Sequence, residues 1–239
     1  MNDLGRRVVA YCTAMQIHIP FHWTCRTWAG RYPLVFNTVF GAINDRSRLV
    51  GPKTDLVIEG FPRSANSFSV FAFLNSGAGD MALAHHVHSP SQIILAARYK
   101  LPAILLVRAP GDAVIAGLAK IATHTASDLL RAYTLYYESL LPLRDHYVIA
   151  PFETVTTDVG RIISAVNRRF GTSFEAADPV RHTGLSKAFL AREKFEGLNQ
   201  PPPPTRSPPL PHVQEGQLAD RARAVHARML DAAEAHGTG

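Results

Sequence analysis

The chain has 239 residues, 46% hydrophobic and 18% charged, which excludes a disordered or fibrous polypeptide and leaves room for one domain with a real core. Basic residues outnumber acidic ones by 25 to 19, for a net charge of +6. That surplus suits an anionic partner without choosing among nucleotide, acidic glycan, nucleic acid and membrane surface.

At the N-terminus no secretory pattern stands out, so a cytoplasmic location is expected. Val8 to Ile43 is rich in apolar and aromatic residues, among them Trp23, Trp28, Phe36 and Phe40. His18, Pro20, His22, Arg26, Arg31 and Pro33 interrupt it, so no run of ~20 apolar residues accumulates to span a bilayer. Residues 1–50 read as a helical segment packed on the domain, with contact to a membrane surface as the alternative. Cys12 and Cys25 are too few for a disulfide framework or a four-ligand zinc site, and are expected as reduced, partly buried thiols.

From Asp55 onward strands and helices alternate. Leu56 to Gly60 (LVIEG) reads as a buried strand and Asn66 to Asn75 as a helix. Met81 to His88 (MALAHHVH) reads as a second strand. The helix after it has Ser89 at the N-cap, Pro90 in the first turn and Gln92 placed for a capping box. AILLV, Ala103 to Val107, is a third strand, followed by a helix from Asp112 to Ile121. Leu129, Tyr133, Tyr136 and Leu140 repeat at helical spacing. Tyr147 to Phe152 is a fourth strand and Thr156 to Phe170 another helix. Such alternation implies an α/β fold of three layers: a mostly parallel central sheet with helices on both faces. Seven prolines within Pro201–Pro211 favour polyproline II. Leu218, Ala222, Val225 and Met229 mark a last helix within 212–237, closed by Gly237.

In this architecture ligands bind beyond the carboxyl ends of the strands, which singles out three loops. The first, Gly60 to Phe68, offers Arg63 as a cation, Ser64, Asn66 and Ser67 as donors, and the N–H groups of a helix start, a set suited to phosphate or sulfate. The plainer alternative is a turn in which Asn66 only caps the helix and Arg63 is exposed. The second follows AILLV: Arg108 stands at a buried strand end and needs an anionic partner, either a ligand or a neighbouring carboxylate, while Asp112 is placed to cap the next helix. The third is AHHVHSP. Strand alternation would put His86 and His88 on one face, where a histidine serves as a general base; a metal pair or histidines without a role are the alternatives.

Together the three resemble the sulfotransferases that use 3′-phosphoadenosine-5′-phosphosulfate (PAPS). In that family a first-strand loop of the form (Y/F)-P-(K/R)-S-G-(T/S)-(T/S)-(W/F) holds the 5′-phosphosulfate; here it reads Phe61-Pro62-Arg63-Ser64-Ala65-Asn66-Ser67-Phe68. An H-x-P element is matched by His88-Ser89-Pro90, and R-x-P-x-D by Arg108-Ala109-Pro110-Gly111-Asp112, 20 residues after His88. Phe152-Glu153 resembles the family's aromatic-Glu element. The similarity covers Asp55 to Phe174, about half of the 239 residues. Four features depart from the pattern. Arg63 replaces the commoner lysine. Ala65 replaces glycine, which is unstrained only where φ is negative. Ala116 stands where a serine usually binds the 3′-phosphate. The family's later glycine-rich and basic segment has no clear counterpart, Arg206 in the proline stretch being the one candidate to stand in for it.

What the resemblance implies is a single sulfotransferase-like domain over 1–239, with a nucleotide-binding core at 51–175. Sulfuryl transfer from PAPS to an acceptor hydroxyl, on a glycan or natural product, is the expected activity. His88 would be the base, with His86 as runner-up. Arg63 would offset charge on the leaving oxygen. Pro62, Arg63, Ser64, Ala65, Asn66, Ser67 and Phe68 would hold the 5′-phosphosulfate, and Arg108 the 3′-phosphate. No metal, nucleic acid or transmembrane segment belongs to this expectation. Its rivals are a degenerate, non-catalytic nucleotide-binding protein and a kinase or NTPase with a variant phosphate loop.

Overall fold

The computed structural model describes residues 22–43, 46–75, 81–120, 124–175 and 216–239. Cys12, Ile121, the proline stretch and Arg206 lie outside them. AILLV and VIAP are apolar on both sides, and so is LVIEG apart from Glu59, as suits strands covered on both faces. They form β1 (Leu56–Gly60), β3 (Ala103–Val107) and β4 (Val148–Pro151), with β2 (Leu83–His85) on the edge. All pairings are parallel and the order is β2-β1-β3-β4.

Alternation along the strands divides the core in two. Leu56, Ile58, Ile104, Leu106, Val148 and Ala150 face one layer, built from α3 (Asn66–Asn75), α7 (Phe152–Thr157) and α8 (Val159–Phe170). Val57, Leu105, Val107 and Ile149 face the other layer, built from α4 (Pro90–Tyr99), α5 (Pro110–Lys120), α6 (Ala126–Leu140) and α9 (Gln217–Ala235). This is the three-layer arrangement expected from the sequence. Each fully buried Ile or Leu contributes roughly 1.5–3 kcal/mol, so the sheet's central strands form a rigid platform. On the second face α1 (His22–Ala29) packs against α6, and α2 (Pro33–Ile43) against α4.

The layering also fixes where a ligand fits. β1 leads into α3 on one face, whereas its neighbour β3 leads into α5 on the other. Two adjacent strands whose connections leave in opposite directions open a crevice at their carboxyl ends. Arg63 follows one of these strands and Arg108 the other.

Several boundaries differ from the sequence reading, each for a local reason. β2 stops at His85 instead of His88, because His86 and His88 adopt positive φ of 59° and 51° and turn the chain out of the sheet. Ser89 does cap α4, accepting from the Ser91 amide, but no capping box forms. The Gln92 side chain instead accepts from the Val50 amide and donates to Asn37 Oδ1, both at 2.8 Å. β4 spans only Val148–Pro151, and Phe152 opens α7. The expected helix from Thr156 is broken at Asp158, whose carboxylate caps α8 by accepting from the Arg161 amide at 3.1 Å. α5 begins at Pro110, so Asp112 lies in its first turn and not at its cap. Cys25 is exposed, not partly buried. No helix among the described residues is long and apolar enough to cross a membrane.

Candidate functional site

The loop after β1 is anchored by packing and shaped by its backbone. A Cβ on Gly60 would come within 2.7 Å of Leu106 Cβ and its carbonyl oxygen, so only glycine lets β1 approach β3 this closely. Phe61 is buried against Tyr133 and Tyr136, with ring centroids 5.3 and 6.1 Å away. Its amide donates to the Tyr137 hydroxyl at 3.4 Å, and that hydroxyl donates to the Leu106 carbonyl at 2.8 Å.

Beyond this anchor φ alternates in sign. Arg63 and Ala65 stand at 67° and 68°, while Ser64 and Asn66 are not among the positive-φ residues. Such alternation turns successive N–H groups towards one point, the backbone form of an anion-binding nest. The first hydrogen bond of α3 runs from the Ser69 amide to the Ala65 carbonyl at 2.9 Å. The amides of Asn66, Ser67 and Phe68 therefore precede the helix's own ladder, at its positive end. Ala65 thus sits where glycine is favoured, at a cost of about 1 kcal/mol or more. Asn66 does not cap: its Nδ2 donates to the Phe61 carbonyl at 3.2 Å, and its buried Oδ1 has no hydrogen-bond partner.

Ser64 and Phe68 are buried, and the Phe68 ring belongs to the core between sheet and α3. What they present to this loop is backbone, whereas Ser67 is exposed and Arg63 and Pro62 are half-buried.

Arg108 closes the loop from the β3 side. Its NH1 donates to the Arg63 carbonyl at 2.9 Å, and its guanidinium lies 4.2 Å from the centroid of Phe152. The Arg108 carbonyl accepts from the Tyr133 hydroxyl at 2.7 Å, and its Nε is buried without a hydrogen-bond partner. Burial lowers the Arg108 pKa; Asp112 acts against that shift and the nearby Arg63 charge adds to it. Guanidinium keeps its proton regardless, so two cations sit together at the crevice.

The third loop meets the same place. Glu59, at the end of β1 and fully buried, accepts from the Val87 amide at 2.6 Å and the His88 amide at 2.9 Å. Arg26 of α1 donates to the Val87 carbonyl from within a cluster of Trp23, Phe36 and Phe40 rings. Burial pushes the Glu59 pKa up to about 8, against the two amides and the Arg26 charge, which pull it down.

So fixed, His88 places Nδ1 3.0 Å from the Gly60 carbonyl. A carbonyl only accepts, so Nδ1 carries a proton, and in the neutral tautomer Nε2 is the basic nitrogen. His86 is engaged on both sides: Nε2 with Ser67 Oγ at 2.9 Å and Nδ1 with His85 Nδ1 at 2.7 Å. Its ring lies 5.8 Å from that of His88, although not through strand alternation, since neither residue is in the strand.

All three loops are therefore joined through the first: Gly60 to His88, Ser67 to His86, and Arg63 to Arg108. Ala116 lies on α5, six residues beyond Pro110. Sequence reading missed Glu59, Arg26 and the tyrosines of α6. The one available signal was a glutamate inside LVIEG, a run that buries every residue and so demands partners for its charge.

No family model matches the chain, and no curated protein or solved structure matches it.

Proposed function

We propose that this protein binds a 3′,5′-bisphosphate nucleotide across the β1/β3 crevice and transfers a sulfuryl group from PAPS to an acceptor hydroxyl. The observation that carries the reading is the alternating backbone of Arg63–Asn66, braced by Arg108 and facing the left-handed loop of His88. Backbone amides and two guanidiniums suit a ligand with several anionic groups.

In this account the amides of the loop and Arg63 hold the 5′-phosphosulfate, and Arg108 the 3′-phosphate. His88 Nε2 takes the acceptor hydroxyl's proton as the acceptor oxygen bonds to sulfur. The bond from sulfur to the phosphate oxygen breaks, and its electron pair leaves on the nucleotide, where Arg63 and the loop amides offset the charge. A loose, in-line transfer of this kind depends on positioning and charge, which is what a stiff loop on a buried sheet supplies. The Gly60 carbonyl keeps His88 in the tautomer that the step requires.

A second reading draws on Ala65 and Ala116: a nucleotide-binding protein that has lost turnover. Incubating the full chain with radiolabelled PAPS and pooled hydroxyl acceptors separates the two. Transfer of label to any acceptor supports the enzyme. Tight bisphosphate-nucleotide binding without transfer supports the second reading, and magnesium-dependent ATP binding in its place contradicts both.

A further inference from the structure

α2 is apolar over most of its surface, Asn37 and Thr38 being its two polar residues. Its inward face carries Pro33, Phe36 and Gly41, yet its outward face is apolar too: Leu34, Val35 and Val39 are 66%, 67% and 60% exposed. Spaced one and four residues apart, they share one side of the helix. Trp28 and Tyr32, 53% and 54% exposed with ring centroids 5.4 Å apart, continue the patch across the turn from α1. A helix this apolar requires cover beyond its core-facing side, and here Leu34, Val35 and Val39 face outward.

The charges nearby decide what kind of cover fits. Residues 22–43 carry no acidic side chain, against Arg26 and Arg31. Exposed Arg31 stands at the start of α2 and exposed Arg46 just after its end, where Arg46 Nε donates to the Gly41 carbonyl at 3.0 Å. An apolar row edged by tryptophan and tyrosine and bracketed by arginines matches the boundary of a bilayer, where aromatic rings sit at headgroup level and cations meet anionic headgroups.

We infer that the outward face of α1 and α2 docks on an anionic lipid surface, lying in its plane without crossing it. The α1 helix that would be seated there is also the one whose Arg26 holds the Val87 carbonyl beside His88. Docking therefore sets the third loop close to the membrane.

Co-sedimentation of the full chain tests this, with vesicles of phosphatidylcholine alone and of phosphatidylcholine mixed with phosphatidylglycerol. The protein should pellet with the mixed vesicles, and less so as salt rises. Arg31→Gln should weaken that binding about fivefold. Val35→Glu with Val39→Glu should weaken it at least about tenfold, and because both positions are exposed the thermal unfolding midpoint should stay unchanged. No binding to the mixed vesicles overturns the inference, as does equal binding by the double variant. So does a concentration-dependent dimer that the double variant abolishes, since that gives the face to a second copy.

Discussion

The backbone amide of His88 donates to Glu59 Oε2 at 2.9 Å, across 29 positions of sequence. Together with the Val87 amide on Oε1, it makes one buried carboxylate the hinge pin of the histidine loop. His88 holds a left-handed backbone because Glu59 occupies its amide and Gly60 its side chain. The candidate base is thus positioned by the strand that also begins the anion loop.

This carboxylate should leave a mark on stability against pH. Burial raises its pKa from 4.5 to about 8, so the folded state binds the Glu59 proton more tightly than the unfolded state does. Its contribution is then fully present below the unfolded value and is lost as pH rises towards the folded one. Urea unfolding from pH 5 to 9 should show the wild type losing ground steadily to Glu59→Gln. A constant gap between the two proteins across that range would contradict the assignment.

Ala65 at φ 68° stores strain that glycine would release. Relief of ~1–2 kcal/mol, less the ~0.5–1 kcal/mol that glycine gives back through chain entropy, predicts a small net gain for Ala65→Gly. Calorimetry should find the unfolding midpoint raised by a few degrees. A drop of similar size would mean that the loop does not hold a left-handed residue there.

His88→Asn separates catalysis from folding, because asparagine tolerates a left-handed backbone better than alanine does. Bisphosphate-nucleotide binding should persist while sulfate transfer falls by about 10²–10⁴-fold. Undiminished turnover would exclude His88 as the base.

Phe152 supports Arg108 through its ring face, 4.2 Å from the guanidinium. Phe152→Leu keeps the apolar bulk but removes the π system, and should weaken nucleotide binding by about three- to tenfold. Fluorescence titration would show this, and unchanged affinity would remove Phe152 from the site.

The fold was legible where physics is local. LVIEG and AILLV could be little else than central parallel strands, and the helical spacing of Leu129, Tyr133, Tyr136 and Leu140 places each of them in the core. The loop that follows β1 and Arg108 at the end of β3 were readable for the same reason, since strand ends fix where side chains emerge. The third loop was not. MALAHHVH has the composition of a strand throughout, and only Glu59, distant in sequence, draws the amides of Val87 and His88 away from the sheet. Gln92 misled in the same way: a local capping rule gave way to tertiary partners at Val50 and Asn37.

The most direct test of the central claim is isothermal titration of wild type and Arg108→Ala with adenosine 3′,5′-bisphosphate and with adenosine 5′-monophosphate. If Arg108 meets the 3′-phosphate while the β1 loop holds the 5′ group, the variant should lose about 10- to 100-fold in affinity for the bisphosphate. Its affinity for the monophosphate should fall far less, by no more than the lost brace on the Arg63 carbonyl costs the loop. Equal losses for both nucleotides, or binding of neither by the wild type, would contradict the account.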